Sequence, residues 1–272
     1  MKPPETTNLP DLNHLSQVTA TLMLAYLIGR FVNLPIKSFD LQIVGVYLSL
    51  EINLRSIMAI LVGLLAASGA DWMIREHPVL KTQTTIEHWL LPALTAWVVS
   101  VPLYQLPIGI LWWGGFLGGS LLIMLILIAE YIVVDHSDRF WAPASIFIHS
   151  ILFALFLALT ISMHSVNMRL VFFIPSVALS AGLISLRVLK LRTNREWSYQ
   201  PILIVVLIIS QITGALHYLP LSSIQFGILL TGLAYALISI LTDDLQTYSM
   251  RHWLFEASLI LLLSAGLAIW MH

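Results

Sequence analysis

The chain has 272 residues, 58% of them hydrophobic and 10% charged, with 13 basic against 14 acidic side chains and a mean hydropathy of +0.90. A soluble domain carries about a quarter charged residues, so this composition excludes an ordinary water-facing surface and points to a lipid bilayer as the solvent. A net charge of -1 leaves no basic footprint for nucleic acid, and the lack of cysteine excludes disulfides, thiolate metal sites and a cysteine nucleophile.

Residues 1–15 are polar, marked by Pro3, Pro4 and Pro10, and carry no secretory-signal pattern. They read as a cytoplasmic segment ahead of a single transmembrane helical domain over 16–272. Apolar runs of bilayer-spanning length are expected at 16–34, 53–74, 88–106, 108–134, 141–163, 167–189, 200–219, 222–241 and 252–271. Pro107 and Pro220 stand in the two tightest connections, and proline ends a helix sterically. The fold class is therefore all-α, a polytopic bundle of nine spans, or eight if one of those pairs merges.

The segment at 39–52, between the first two spans, follows a different rule. Val46, Leu48, Leu50 and Ile52 alternate with Tyr47, Ser49 and Glu51, and period two is a strand signature. A short extended segment or hairpin is predicted there, outside the membrane, with helix resuming near Asn53 or Ser56. An isolated hairpin is marginal in water, so it is expected to lie over the outer helix ends.

Nine spans place Lys2, Arg75, Lys81, Arg139, Arg187, Lys190, Arg192, Arg195 and Arg251 on the side of the N-terminus, against Arg30, Lys37, Arg55 and Arg169 on the other. That excess predicts a cytoplasmic N-terminus and an outside C-terminus in the cell (plasma, inner) membrane. Arg187–Arg195 forms the one plainly basic loop. Trp72, Trp89, Trp141, Trp197 and Trp253 fall at the predicted cytoplasmic helix ends, as an interfacial belt requires.

Helices associate in lipid where small residues let backbones approach. The fourth span carries Gly114, Gly115, Gly118 and Gly119, and further pairs occur at Gly63/Ala67, Ala178/Gly182 and Gly232/Ala236. These predict intramolecular seams, with a membrane-protein partner or homo-oligomer on the Gly114/Gly118 face as the alternative. Pro175 is expected to kink the sixth span.

Ionisable groups within spans are costly and suggest function. Here they gather at one depth: Asp71, Glu87 and His88, Glu130, His149, and Glu256 with His252 one turn earlier. Imidazoles and carboxylates together suit zinc or another divalent metal, whose bound water becomes a nucleophile near neutral pH. His88, Glu130, His149 and Glu256 form the candidate ligand set. Glu130 and His149 are the candidate catalytic groups, and Asp71 is an orienter behind them. No HExxH spacing accompanies them, and interface charges serving as structural ties are the competing explanation. Asp243-Asp244 is a candidate Mg²⁺ pair without a second acidic motif.

The stretch Gly69-Ala70-Asp71-Trp72-Met73-Ile74-Arg75-Glu76-His77-Pro78, followed by Glu87-His88-Trp89-Leu90-Leu91-Pro92-Ala93-Leu94, resembles a family of bacterial multi-pass membrane proteins classed only as a domain of unknown function. The resemblance implies no activity. It implies that Asp71, His77 and Glu87-His88-Trp89 belong to one recurring feature. Three functions stand open: a non-enzymatic scaffold or accessory membrane subunit; an interfacial metal-assisted lipid hydrolase or transferase; and a carrier of an apolar or lipid-like substrate using the Pro175 kink.

Overall fold

The computed structural model describes residues 10–32, 37–43, 46–52, 54–80, 85–166, 169–193, 199–242 and 250–270. Among them the order is α1 (Leu12–Phe31), β1 (Lys37–Ile43), β2 (Val46–Ile52), α2 (Leu54–Arg75), α3 (Ile86–Gln105), α4 (Ile110–Val133), α5 (Trp141–Ser165), α6 (Leu170–Thr193), α7 (Tyr199–His217), α8 (Ser223–Thr242) and α9 (Met250–Trp270). Each expected span is a separate helix. Breaks at Pro107 and Pro220 divide α3 from α4 and α7 from α8, because proline lacks an N–H and clashes with the preceding turn. Six of the helices, α2 and α4 to α8, contain a stretch long and apolar enough to cross a membrane.

Two boundaries move from their expected places. Helix α1 starts at Leu12, inside the segment read as a polar terminus, because the Asp11 carboxylate accepts the Asn13 N–H at 2.9 Å and caps the first turn. Helix α6 runs on to Thr193, so Arg187, Lys190 and Arg192 lie on a helix rather than in a basic loop. Arg195 and Trp197, Lys2 and Lys81, and the Asp243-Asp244 pair lie outside the described residues.

The predicted hairpin is present. Strands β1 and β2 pair antiparallel, with Ile43 opposite Val46 as the last pair. The register sets Phe39 opposite Leu50 and Leu41 opposite Leu48, with Asp40 opposite Ser49 and Gln42 opposite Tyr47. Apolar positions thus meet apolar ones, which is how period-two patterning selects a register.

The helices fall into two packing units, Met1–Ile148 and His149–His272, with the division inside α5. In the first, α2 packs chiefly on α3, and α1 lies against α2, α3 and α4. Its core holds Leu22 and Tyr26 of α1, Val62, Ala66 and Ala70 of α2, and Trp112, Ile123 and Leu127 of α4. Three polar side chains tie helices together through backbone carbonyls. Tyr26 donates to Ala96 O at 2.6 Å and Trp112 Nε1 to Leu103 O at 2.9 Å. Arg30 donates to Tyr104 O at 2.9 Å and Leu106 O at 2.7 Å, satisfying carbonyls at the end of α3 that have no helical partner.

Glycine sets the closest approaches. A methyl group built on Gly119 would lie 2.5 Å from Val99 Cγ1, and one on Gly63 would lie 3.3 Å from Ala93 O. In the second unit α8 packs on α9 and on α7, and α6 packs on α7 and α8. A methyl on Gly232 would lie 2.5 Å from Ser264 Cβ, and one on Gly182 would lie 3.1 Å from Val206 Cγ2. Gln225 Nε2 donates to Ala268 O at 2.9 Å. The predicted small-residue seams at Gly63, Gly182 and Gly232 are therefore intramolecular.

Candidate functional site

Polar side chains in the first unit collect where α1 begins, α2 ends, α3 begins and α4 ends. Asp71, in the last turn of α2, accepts from Arg75 Nε at 2.7 Å through Oδ2. Its Oδ1 accepts from the Thr85 hydroxyl and from Trp89 Nε1, the latter at 3.1 Å. Thr85 sits just ahead of α3 and Trp89 lies in its first turn, so this one carboxylate fastens the start of α3 to the end of α2.

His88, between those two anchors, is buried. Its Nδ1 lies 2.7 Å from Oε2 of Glu130 on α4, and Glu130 is 0% exposed. Its Nε2 lies 3.5 Å from Glu87 Oε1. Each ring nitrogen therefore faces a carboxylate oxygen, the arrangement in which an imidazole is fixed in orientation and its tautomer set by its neighbours. Of the predicted site residues, the structure brings His88 and Glu130 into direct contact. It places Asp71 on the residues flanking His88, where it orients the first turn of α3.

The remaining candidates belong to the second unit. His149 is half-buried on α5. Glu256, half-buried on α9, accepts from the Tyr235 hydroxyl at 3.1 Å, and Phe153 lies against the Tyr235 ring at 5.0 Å. The side chain of His252 lies outside the described residues. Among the described residues no group of three or more His, Asp or Glu is arranged to hold a metal ion.

Three residues outside the candidate ligand and catalytic set also carry weight. Glu87 is the second neighbour of His88. His77, between α2 and α3, is buried, with its ring edge against Tyr131 at 4.6 Å and its Nδ1 accepting the Val79 N–H at 3.3 Å. Arg187 is 1% exposed on α6. The signal for Arg187 was its spacing, since it falls on the helical stripe of the buried residues Ser180, Ile184 and Leu191.

His77 predicts a pH dependence. Burial pushes its pKa below the ordinary histidine value, partly opposed by Asp135 and Asp138. Asp135 lies below the usual carboxylate range because the Ser137 hydroxyl and backbone N–H bond to it. For both groups the unfolded chain binds protons more readily than the folded one, so both lose stability as pH falls. The His77 contribution is present above its unfolded pKa of about 6.5 and fades below it. The thermal midpoint should therefore drop between pH 7.5 and 5.5. His77→Gln should flatten that drop; an equal drop in the variant would remove His77 as its source.

No curated protein and no solved structure matches this chain. Residues 34–271 match the model of a family described as a protein of unknown function, DUF5656, a match that takes in Asp71, His77, Glu87-His88-Trp89 and Glu130. The chain belongs to that family.

Proposed function

We propose that this chain works as a non-enzymatic integral membrane protein, a scaffold or accessory subunit acting through helix contacts. The observation that carries this reading is the division of the α4 glycines. Gly119 is buried against Val99 of α3, and a methyl group on Gly115 would meet Leu103 at 3.6 Å. Gly114 and Gly118 stand instead on an outward apolar face with Leu111, Leu117 and Leu121, where an added methyl meets nothing within 4 Å among the described residues. Small residues four apart let a second helix come close. The polar groups of the first unit support the same reading, since Asp71, Arg30, Tyr26 and Trp112 are engaged in joining helices to one another.

The natural lack of cysteine makes the test direct. A Gly118→Cys chain, oxidised in native membranes, should form a covalent dimer, and adding Gly114→Leu should reduce it about tenfold. No cross-link, together with no membrane protein retained by the natural chain and released by Gly114→Leu, would make the face lipid-covered and remove the reading. The orientation belongs to the same proposal, with the N-terminus cytoplasmic as the cation distribution indicates. A single cysteine replacing Ser137 should then react with an impermeant reagent only in broken cells.

A second reading is favoured by the His88–Glu130 contact, which sets a nitrogen and a carboxylate oxygen side by side one turn from a helix end. That pair would serve as two ligands of a divalent metal such as zinc in lipid hydrolysis or headgroup transfer. Elemental analysis of chelator-free protein decides it. About one metal per chain, lost in Glu130→Ala, supports the enzyme; a metal-free natural chain that also takes up no added zinc removes it.

A further inference from the structure

A cleft of about 220 Å³ opens between the end of α4 and the start of α5, within the first unit. Ala129, Ile132 and Ala144 are its buried floor, and Leu125, Phe140 and Phe147 stand at its rim. Its walls present no polar atom. Water in such a space would find no hydrogen-bond partner, so hydrocarbon is the matching occupant. The cleft lies within about two turns of the helix ends, the depth at which an acyl chain leaves its headgroup.

The connection at that end carries the matching charge. Arg139 is exposed, and its guanidinium stands over the ring of Phe140, 6.0 Å from the centroid. It makes no ion pair among the described residues. The neighbouring acids are already engaged: Asp138 is buried and accepts the Phe140 N–H at 2.8 Å, and Asp135 accepts the Ser137 hydroxyl at 2.6 Å. His136 stacks on Trp141 at 4.8 Å beside them, a ring pair suited to the headgroup layer. An exposed guanidinium over the ring at the rim of a shallow apolar groove matches a phosphate joined to an acyl chain.

We propose that this cleft binds one anionic glycerophospholipid, its acyl chain against Ala129 and Ala144 and its phosphate on Arg139. The site is independent of the Gly114/Gly118 face, so either can fail alone. The full-length chain in phosphatidylcholine nanodiscs would be exposed to a phosphatidylglycerol carrying a diazirine in its acyl chain, and separately to the matching diacylglycerol without phosphate.

The phospholipid should label 125–147 several-fold above the other helices. Arg139→Gln should cut that labelling about tenfold, the size of one charge-assisted hydrogen bond, and leave diacylglycerol labelling unchanged. Ala129→Leu should reduce both by filling the floor; should that variant fail to fold, Arg139→Gln still decides. Even labelling of all helices, indifferent to Arg139→Gln, would mean surrounding lipid only and overturn the proposal. So would competition by millimolar inorganic phosphate, which would identify a free-anion site.

Discussion

Glu130→Ala should lower the unfolding free energy by about 3–5 kcal/mol, the usual cost of breaking a buried hydrogen-bonded pair from one side. Glu130 is fully enclosed and its Oε2 lies 2.7 Å from His88 Nδ1, so the truncation leaves an imidazole in low dielectric without that acceptor. Replacing both partners with apolar residues, His88→Leu with Glu130→Met, should cost less than the two single changes together, because each single change takes one partner from a buried polar group that the double change removes altogether. Denaturant titration in mixed micelles measures all three. Strict additivity of the two single effects would mean that the contact carries no coupling.

Trp112→Ala is the second large effect, at about 3–5 kcal/mol. The indole is fully buried between the rings of Phe31 at 5.9 Å, Trp113 at 4.9 Å and Phe116 at 5.2 Å. Its Nε1 donates to Leu103 O near the end of α3. Helices in lipid gain little from apolar burial as such, so this loss reports packing and the hydrogen bond. Trp112→Phe keeps ring contact and removes only the donor, and should cost about 1 kcal/mol. A Trp112→Ala chain with unchanged unfolding would show that α4 is held elsewhere.

The helices and the hairpin were legible residue by residue. A bilayer forces every backbone group in it to be satisfied within its own helix, so a long apolar run has one outcome, and Pro107 and Pro220 mark where it stops. Period-two alternation at Val46–Ile52 identified the hairpin because opposite faces of a strand meet different surroundings. Where these local rules compete with a cap, the cap wins, as Asp11 shows by starting α1 inside the polar segment.

Partner choice was not legible. The spans are apolar on nearly every face, so composition carries little record of which face turns toward which neighbour. That is why Gly115 and Gly119 could not be told from Gly114 and Gly118 until α3 was seen against α4. It is also why Arg187, read as part of a basic loop, is buried on α6, and why the reach of His88 to Glu130, 42 positions away, appears only in the folded chain. Local backbone chemistry is written in neighbouring residues, whereas the pairing of side chains depends on the rotation and offset of whole helices. Only tertiary packing sets those.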